Sequence, residues 1–139
     1  MPGPVPFTHP LRVRYNECDP QGVVFNANYV VYVDVTITEL WRALFGSYER
    51  FIEETGVDVV VADLQLRFRA PARFDDELEV TLTPALTSAS SVTSQIAIDR
   101  AGTRILEGTI RHVCVDARAL TKVPAPALMR DAIGAAPAA

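Results

Sequence analysis

Apolar and polar residues alternate along several segments of the chain, and this spacing predicts β-strands. Near the N-terminus, Leu11, Val13 and Tyr15 alternate with arginines until the pattern stops at Asn16. A period of two places the apolar side chains on one face of a strand and the polar side chains on the other. We therefore predict a half-buried first strand over residues 11–15.

After this strand the apolar spacing changes to three and four residues, which is the spacing of an α-helix. Val30, Val31 and Val35 widen the apolar stripe well beyond one face. A helix that is apolar most of the way round is expected to be enclosed by other elements. Asn28 is a suitable N-cap residue for it, and Gly46 is a suitable C-terminal stop.

The second half of the chain has the pattern of four consecutive strands. Alternation recurs in residues 64–68, 78–82 and 92–98, and the turn-prone segments APARFDD and DRAGT separate the strands. The last strand is predicted from about residue 104 to 116, with Gly108 as a candidate β-bulge.

The order of elements is one strand, a loop, one long helix and four strands with short connections. Short connections imply antiparallel pairing, and one sheet with one enclosed helix requires the sheet to curl around that helix. This is an α+β hotdog fold, in which a curled antiparallel five-stranded sheet wraps one long central helix. Because such a sheet has open edges, we expect an edge to pair with a second copy, giving a homodimer or homotetramer.

Composition restricts the classes of protein that fit. The 139 residues, 49% of them hydrophobic, suffice for one domain. We predict a flexible N-terminal segment over residues 1–10, a hotdog domain over 11–123 and an Ala/Pro-rich tail over 124–139.

A net charge of −4 argues against nucleic acid as the main partner. No secretory signal or membrane-spanning run is recognised and two cysteines suggest reduced thiols, so we expect a soluble cytoplasmic protein without a membrane partner.

The stretch RYNECDPQGVVFNANY, residues 14–29, combines two carboxylates with turn-prone residues just before the helix. Its DPQG segment predicts a tight turn. Unpaired N–H groups at a helix start can hold an anion or a carbonyl oxygen that gains negative charge. Asp19 is placed to face such a carbonyl, although aspartate is also a common turn residue. Glu17 is expected to be solvated or to support the turn.

The run YNECDPQGVVFNANYVVYVD resembles the signature of the 4-hydroxybenzoyl-CoA thioesterase family of hotdog proteins. LQLRFRAPARFDDELEV resembles the second strand, turn and third strand of that family, so the resemblance covers roughly residues 11–116. It implies a hotdog-fold acyl-CoA thioesterase with Asp19 as the catalytic aspartate. Phe25 and Asn26 fall on the segment whose backbone N–H polarises the thioester carbonyl.

The same resemblance implies where the substrate lies. Gly22 in the turn, and Asn28 and Tyr29 at the helix start, are expected substrate contacts. Asp34 matches a helix position whose aspartate lines the acyl pocket, where it can receive a ring hydroxyl; a hydrogen bond to another helix or across a subunit interface is the alternative. The CoA phosphates need cations, for which there are three candidates: Arg67, Arg69 and Arg73.

Two departures from the family pattern concern the substrate. Asn26 stands where many bacterial members have histidine, and TSASSVTS stands where the 4-hydroxybenzoyl-CoA branch has a basic cluster. The expected reaction is hydrolysis of an aromatic, short-chain or carrier-bound acyl thioester, with Asp19 as nucleophile or general base. The alternative is a non-catalytic hotdog module that binds acyl-CoA or acyl carrier protein. A dehydratase is disfavoured because its histidine–carboxylate pair has no counterpart here.

No metal site and no cofactor are expected, apart from CoA as part of the substrate. His9 and His112 form no ligand pair, and Cys-x-x-Cys is absent. His112 alternates with apolar neighbours on the last strand and is expected to be a core or interface residue. Cys18 has no neighbouring histidine to activate it and is expected to pack.

Overall fold

The computed structural model describes residues 5–134, which form five strands and three helices. The strands are β1 (Phe7–Arg12), β2 (Val57–Phe68), β3 (Glu77–Leu86), β4 (Ser91–Arg100) and β5 (Thr103–Asp116). The helices are α1 (Asn26–Phe45), α2 (Tyr48–Thr55) and α3 (Ala127–Ile133), and Tyr15–Glu17 form a 3₁₀ turn. None of these helices is long and apolar enough to cross a membrane.

The strands form one antiparallel sheet in the order β1-β3-β4-β5-β2, and α1 packs on it. Tyr29, Val33 and Leu40 of α1 join the inward-facing residues of the strands in a single apolar core. Alternation places every second strand residue in that core, as in β3, where Val80 and Leu82 are fully buried. The predicted α+β hotdog fold, with a five-stranded sheet curled around one long helix, is confirmed.

The start of α1 differs from the prediction. The helix begins at Asn26, with Phe25 as its N-cap residue. Asn28 lies inside the first turn, and its side-chain amide donates to the backbone oxygen of Glu17 at 2.8 Å, so it does not cap the helix. The predicted end is confirmed, because Gly46 has a φ of 77°, a left-handed conformation that stops the helix.

One side of α1 is uncovered in the single chain. Val30, Val31 and Val35 keep 40%, 46% and 43% of their surface exposed. The prediction of an enclosed helix is therefore wrong for this side, because the sheet of one chain covers only the opposite face. The three exposed valines leave an apolar strip available to another surface.

The N-terminal segment contributes to the sheet. β1 covers Phe7–Arg12 instead of the predicted residues 11–15, and it pairs with β3 along its whole length. Tyr15 lies in the 3₁₀ turn and is exposed. The prediction that residues 1–10 are a flexible segment is thus corrected for residues 7–10, while residues 1–4 lie outside the described residues.

The C-terminal segment also belongs to the fold. α3 buries Met129 and Ile133 in the hydrophobic core, next to Ala125. The domain therefore continues beyond the predicted boundary at residue 123, and the prediction of a separate tail is corrected for residues 125–133. Residues 135–139 of that predicted tail lie outside the described part of the chain.

Gly108 lies in the middle of β5, where β2 approaches unusually closely. An ideal Cβ atom added there would be 1.9 Å from the backbone oxygen of Gln65. Gly108 pairs in regular register with Leu66, so the candidate bulge at this residue is wrong; the irregularity in β2 lies between Val61 and Asp63. Glycine is required at position 108 by backbone proximity.

We expect Gly108→Ala to lower the free energy of unfolding by about 1–3 kcal/mol, because the new methyl group must push the backbone of β2 away. Urea unfolding followed by circular dichroism measures the change. Thr109→Ala, on the same strand, is the control and should stay within about 0.5 kcal/mol of the parent. An unchanged unfolding midpoint for Gly108→Ala would show that β2 can move away from the methyl group without a loss of stability.

Candidate active site

A tight hairpin over residues 18–24 carries the predicted catalytic aspartate. Cys18 and Val24 form an antiparallel bridge across its base. The N–H of Gly22 donates to the backbone oxygen of Asp19 at 2.9 Å, which closes the predicted turn. Gly22 has a φ of 79°, which glycine adopts without steric strain.

The hairpin holds one oxygen of the Asp19 carboxylate. Oδ1 accepts a hydrogen bond from the N–H of Gln21 at 2.8 Å. The N–H of Asp19 itself donates to the backbone oxygen of Val23 at 2.9 Å. Within residues 5–134 no donor is bonded to Oδ2. Asp19 therefore supports the turn and still has one carboxylate oxygen for a substrate or a water molecule.

Two backbone N–H groups are available at the start of α1. The N–H of Phe25 donates to the backbone oxygen of Glu17 at 3.0 Å, and that of Asn28 to Phe25 at 2.8 Å. In the described part of the chain, the N–H groups of Asn26 and Ala27 have no protein acceptor. The predicted oxyanion role is thus corrected for Phe25, whose N–H is occupied, and for Asn26 it stays a prediction.

Glu17 is a buried carboxylate whose importance the sequence pattern did not reveal. It is 8% exposed; Oε1 accepts from the N–H of Arg14 at 2.7 Å and from the hydroxyl of Tyr32 at 2.9 Å. Oε2 accepts from the guanidinium of Arg14 at 3.1 Å. Burial alone raises the pKa of Glu17, but the hydrogen bonds from Arg14 and Tyr32 outweigh it and hold the pKa below its usual range.

These contacts make Glu17 the junction between the strand end, the hairpin and α1. Its side chain reaches Tyr32 in the second turn of α1, and its backbone oxygen accepts from both Phe25 and Asn28. The prediction that Glu17 is solvated is wrong, and the alternative that it supports the turn is confirmed. Asn28, predicted to contact the substrate, uses its side chain in this junction.

A cleft of about 280 Å³ opens beside the start of α1. Asn26 and Tyr29 line it from the helix, and Phe68 at the end of β2 and Pro71 in the segment that follows also line it. The hydroxyl of Tyr29 accepts from the N–H of Ala72 at 3.0 Å, and its ring packs edge-on against Phe68 at 5.4 Å between centroids. Tyr29 therefore braces this segment and presents part of its ring to the cleft.

The three arginines predicted to bind CoA do not form one cluster. Arg69 lines the cleft and pairs with Glu107. Arg67 lines a separate depression on the sheet. Arg73 is exposed beside the hairpin, where its backbone bridges Val23, and its guanidinium contacts no carboxylate within residues 5–134.

A second pocket of about 210 Å³ lies farther along α1, lined by Asp34, Tyr48, Asp58 and His112 among others. Asp34 is eight residues beyond Asn26, or about 12 Å along the helix axis, so it lies away from the helix start. His112 is 4% exposed, as expected of a core residue, but its Nδ1 has no partner. Burial lowers the pKa of His112 to about 4, although the negative charge of Asp34 acts to raise it.

Comparisons with known proteins agree with this geometry. The family model described as Thioesterase-like superfamily matches residues 13–133. A relative, the acyl-CoA thioester hydrolase YbgC of Escherichia coli, is 34% identical over 111 residues, which are 79% of this chain and 82% of that protein.

Two solved structures share the fold. Slr0204, a 1,4-dihydroxy-2-naphthoyl-CoA thioesterase from Synechocystis, has a TM-score of 0.82 at 24% identity, with 93% of this chain and 96% of that chain covered. A thioesterase superfamily protein from Jannaschia sp. CCS1 has a TM-score of 0.87 at 22% identity and 99% coverage of both chains. With the family match extending from Val13 to Ile133, this chain belongs to the thioesterase-like superfamily.

Proposed function

We propose that the protein hydrolyses acyl-CoA thioesters to the free acid and CoA. The observation that carries this proposal is the pair of unoccupied N–H groups of Asn26 and Ala27 at a helix start, next to the hairpin that carries Asp19. Donors of this kind stabilise the charge that develops on a carbonyl under attack, and a nearby carboxylate can attack that carbonyl or activate a water molecule that does. The family membership and the name of the Escherichia coli relative point to the same reaction.

The donors at the helix start stabilise the charge that develops on the thioester oxygen. A carbonyl oxygen bound to the N–H groups of Asn26 and Ala27 also lies at the positive end of the α1 dipole. Each such donor typically contributes about 3 kcal/mol to transition-state stabilisation. The side chain of Asn26 is not needed for this role, because the backbone supplies the donor.

Asp19 supplies the negative charge that drives the reaction. As a nucleophile, its free oxygen forms a bond to the carbonyl carbon, the C–S bond breaks to release CoA thiolate, and water then hydrolyses the mixed anhydride. As a general base, it takes a proton from a water molecule that attacks the same carbon, and CoA leaves in the same way. Both routes use the oxygen of Asp19 that the turn leaves unbonded.

Local cations bind the phosphates of CoA in this proposal. The chain as a whole cannot attract them, because it carries a net charge of −4. Arg73 is the best placed of the three predicted arginines, because it is beside the hairpin and is not neutralised by an acidic partner in the described residues. Arg69 borders the cleft.

A panel of acyl-CoAs assayed with a thiol reagent separates a hydrolase, which releases free CoA steadily, from a binding module, which does not.

We also propose that the working unit is a homodimer or homotetramer. β2 is the last strand of the sheet and pairs only through β5, which leaves its other edge open. Val60 and Val61 on this strand are 41% and 52% exposed, in addition to the uncovered valines of α1. An open edge with apolar neighbours is removed when a second copy pairs with it.

Light scattering at micromolar concentration is expected to give at least twice the chain mass of 15.2 kDa. Val60→Lys places a charge at the open edge, so it should shift the protein toward monomers. Leu120→Lys, on an exposed turn, is the control and should keep the parental mass. A parent protein that is monomeric would contradict the shared interface.

Asp19→Asn is expected to lower kcat by at least roughly 100-fold, because the amide can neither attack the carbonyl nor take a proton from water. Asparagine keeps the size and turn preference of aspartate, so the melting temperature and the KM should scarcely change. Steady-state hydrolysis of the best acyl-CoA measures the loss, with the exposed Asp131→Asn as control. A folded variant within a few-fold of the parental kcat would make Asp19 a turn residue only.

Glu17→Gln is expected to reduce both kcat and stability, because a buried carboxylate that orients the hairpin and helix loses its charge. The folded state lowers the pKa of Glu17 from its usual 4.5, so its charge stabilises the fold above pH 4.5 and this contribution is lost as the pH falls through the folded pKa. Urea unfolding at several pH values should therefore show parent and variant converging below pH 4.5. A difference in unfolding free energy between parent and variant that persists below pH 4.5 would show that the effect comes from packing and not from the charge.

A further inference from the structure

Two aromatic side chains are exposed next to each other beside the hairpin. Tyr15 in the 3₁₀ turn is 80% exposed, and Phe74 in the segment between β2 and β3 is 55% exposed. Their rings contact each other edge-on, with centroids 5.7 Å apart and planes at 82°. Adjoining apolar groups that the chain itself leaves uncovered are a feature of interaction sites. We call this pair of rings the aromatic platform.

Backbone hydrogen bonds hold the platform in place. The N–H of Asp75, the residue after Phe74, donates to the backbone oxygen of Val13 at 3.0 Å. The N–H of Val13 in turn donates to the backbone oxygen of Asp76 at 2.9 Å. Because Val13 is only two residues before Tyr15, these bonds fix the two rings relative to each other. A ligand that stacks on them therefore pays little for ordering the protein.

Arg73 adds a positive charge next to the platform. It precedes Phe74 in the chain, it is exposed, and its backbone bridges Val23 of the hairpin. Among the residues that the structure describes, no carboxylate pairs with its guanidinium. A flat aromatic surface beside an unpaired guanidinium suits a nucleotide, whose base can stack on the rings while a phosphate pairs with the arginine.

The cleft at the helix start is too small to enclose a whole CoA thioester. Its volume of about 280 Å³ is below the range of about 300–1,000 Å³ for pockets that enclose drug-sized ligands, and CoA is larger than such ligands. The nucleotide end of CoA must therefore lie outside the cleft. Pro71 lines the cleft and Phe74 is three residues farther, so their Cα atoms are at most about 11 Å apart. The extended pantetheine arm of CoA is longer than this distance.

The surroundings of the platform do not suit an anionic membrane surface. The depression that starts at Asp75, directly after Phe74, is lined by two arginines and by four carboxylates, those of Asp75, Asp76, Glu77 and Glu79. A broad anionic surface would meet these carboxylates together with Arg73 and would be repelled. A single nucleotide is small enough to meet Arg73 alone.

The platform also lies away from the sheet edge that we assign to a second copy. The bonds of Val13 tie it to the end of β1 and the start of β3. β1 and β2 are the opposite edges of the sheet, four strand spacings or about 19 Å apart across it. Pairing at the edge of β2 therefore leaves the platform open to a ligand.

We propose that the adenine ring of CoA stacks on Tyr15 and Phe74, while Arg73 pairs with the phosphates next to it. This inference rests on the proposed function, because it takes the substrate to be a CoA thioester whose carbonyl lies at the start of α1. It adds to that function an adenine site formed by two aromatic residues, and with it a preference for CoA over thioesters that carry only the pantetheine arm.

The first test compares thioesters of one acyl group with CoA, with 4′-phosphopantetheine and with pantetheine. For the parent protein, kcat/KM should be about tenfold higher for the CoA thioester than for the phosphopantetheine thioester, because only CoA carries the base that stacks. Equal values for these two substrates would overturn the inference and leave the thioesterase function intact.

Variants then locate the preference. The double variant Tyr15→Ser, Phe74→Ser removes both rings at exposed positions, so the ratio of CoA to phosphopantetheine should fall to within about twofold of one. The exchange Tyr15→Phe, Phe74→Tyr keeps both rings and should keep the parental ratio. Leu120→Ser, at another exposed apolar position, is the control and should also keep it. A parental ratio in the double serine variant would refute the platform.

A binding measurement tests the adenine site without turnover. Adenosine 3′,5′-bisphosphate is the nucleotide end of CoA, and saturation-transfer NMR reports contact between its adenine protons and the protein. We expect transfer to these protons with the parent protein and with the exchange variant, and its loss with the double serine variant. No transfer with the parent, or equal transfer with the double serine variant, would overturn the inference.

Other occupants of the platform give different results. The double serine variant should keep the parental mass in light scattering, and vesicles of phosphatidylglycerol should sediment neither protein. A lower mass, or vesicle binding that the double serine variant loses, would assign the platform to a second copy or to a membrane and refute the adenine site. Failure to hydrolyse any thioester, with binding of the bisphosphate intact, would refute the proposed hydrolysis alone.

Discussion

The buried carboxylate of Glu17 is the interaction on which the geometry of the site depends. A carboxylate out of water is costly unless its oxygens are bonded, and here Arg14 and Tyr32 bond both of them. Arg14 follows β1, and Tyr32 lies in the second turn of α1. Satisfying this one charge therefore fixes the helix start relative to the sheet and sets where the hairpin with Asp19 begins.

The same junction decides which donors remain for chemistry. A helix start leaves several backbone N–H groups without intrahelical acceptors. The backbone oxygen of Glu17 takes the N–H of Phe25, so the unoccupied groups are those of Asn26 and Ala27. In the proposed mechanism these donors are backbone atoms, so the mechanism requires no particular side chain at position 26, where this chain has asparagine.

Sequence patterns predict the structural features that are set by residues close together in the chain. They miss the features that are set by contacts between distant segments. The turn at Asp19, the stop at Gly46 and the four later strands follow from local period and turn chemistry. The start of β1 could not be predicted in this way, because Pro10 suggests a segment outside the sheet. β1 is an edge strand, however, and an edge strand tolerates a residue without a backbone N–H. The role of Glu17 depends on Tyr32, fifteen residues away and turned inward by the packing of α1.

The apolar excess of α1 favours assembly with a second copy. The helix has more apolar surface than one sheet covers. In the sheet formed by the described residues, β2 is an edge strand like β1, so one of its two edges is open. A twofold partner can remove both liabilities at once, since an isologous interface presents the same surface from each side. Val61 of β2 also lines the pocket of His112. Pairing at this edge in the proposed dimer therefore brings the second copy next to that pocket.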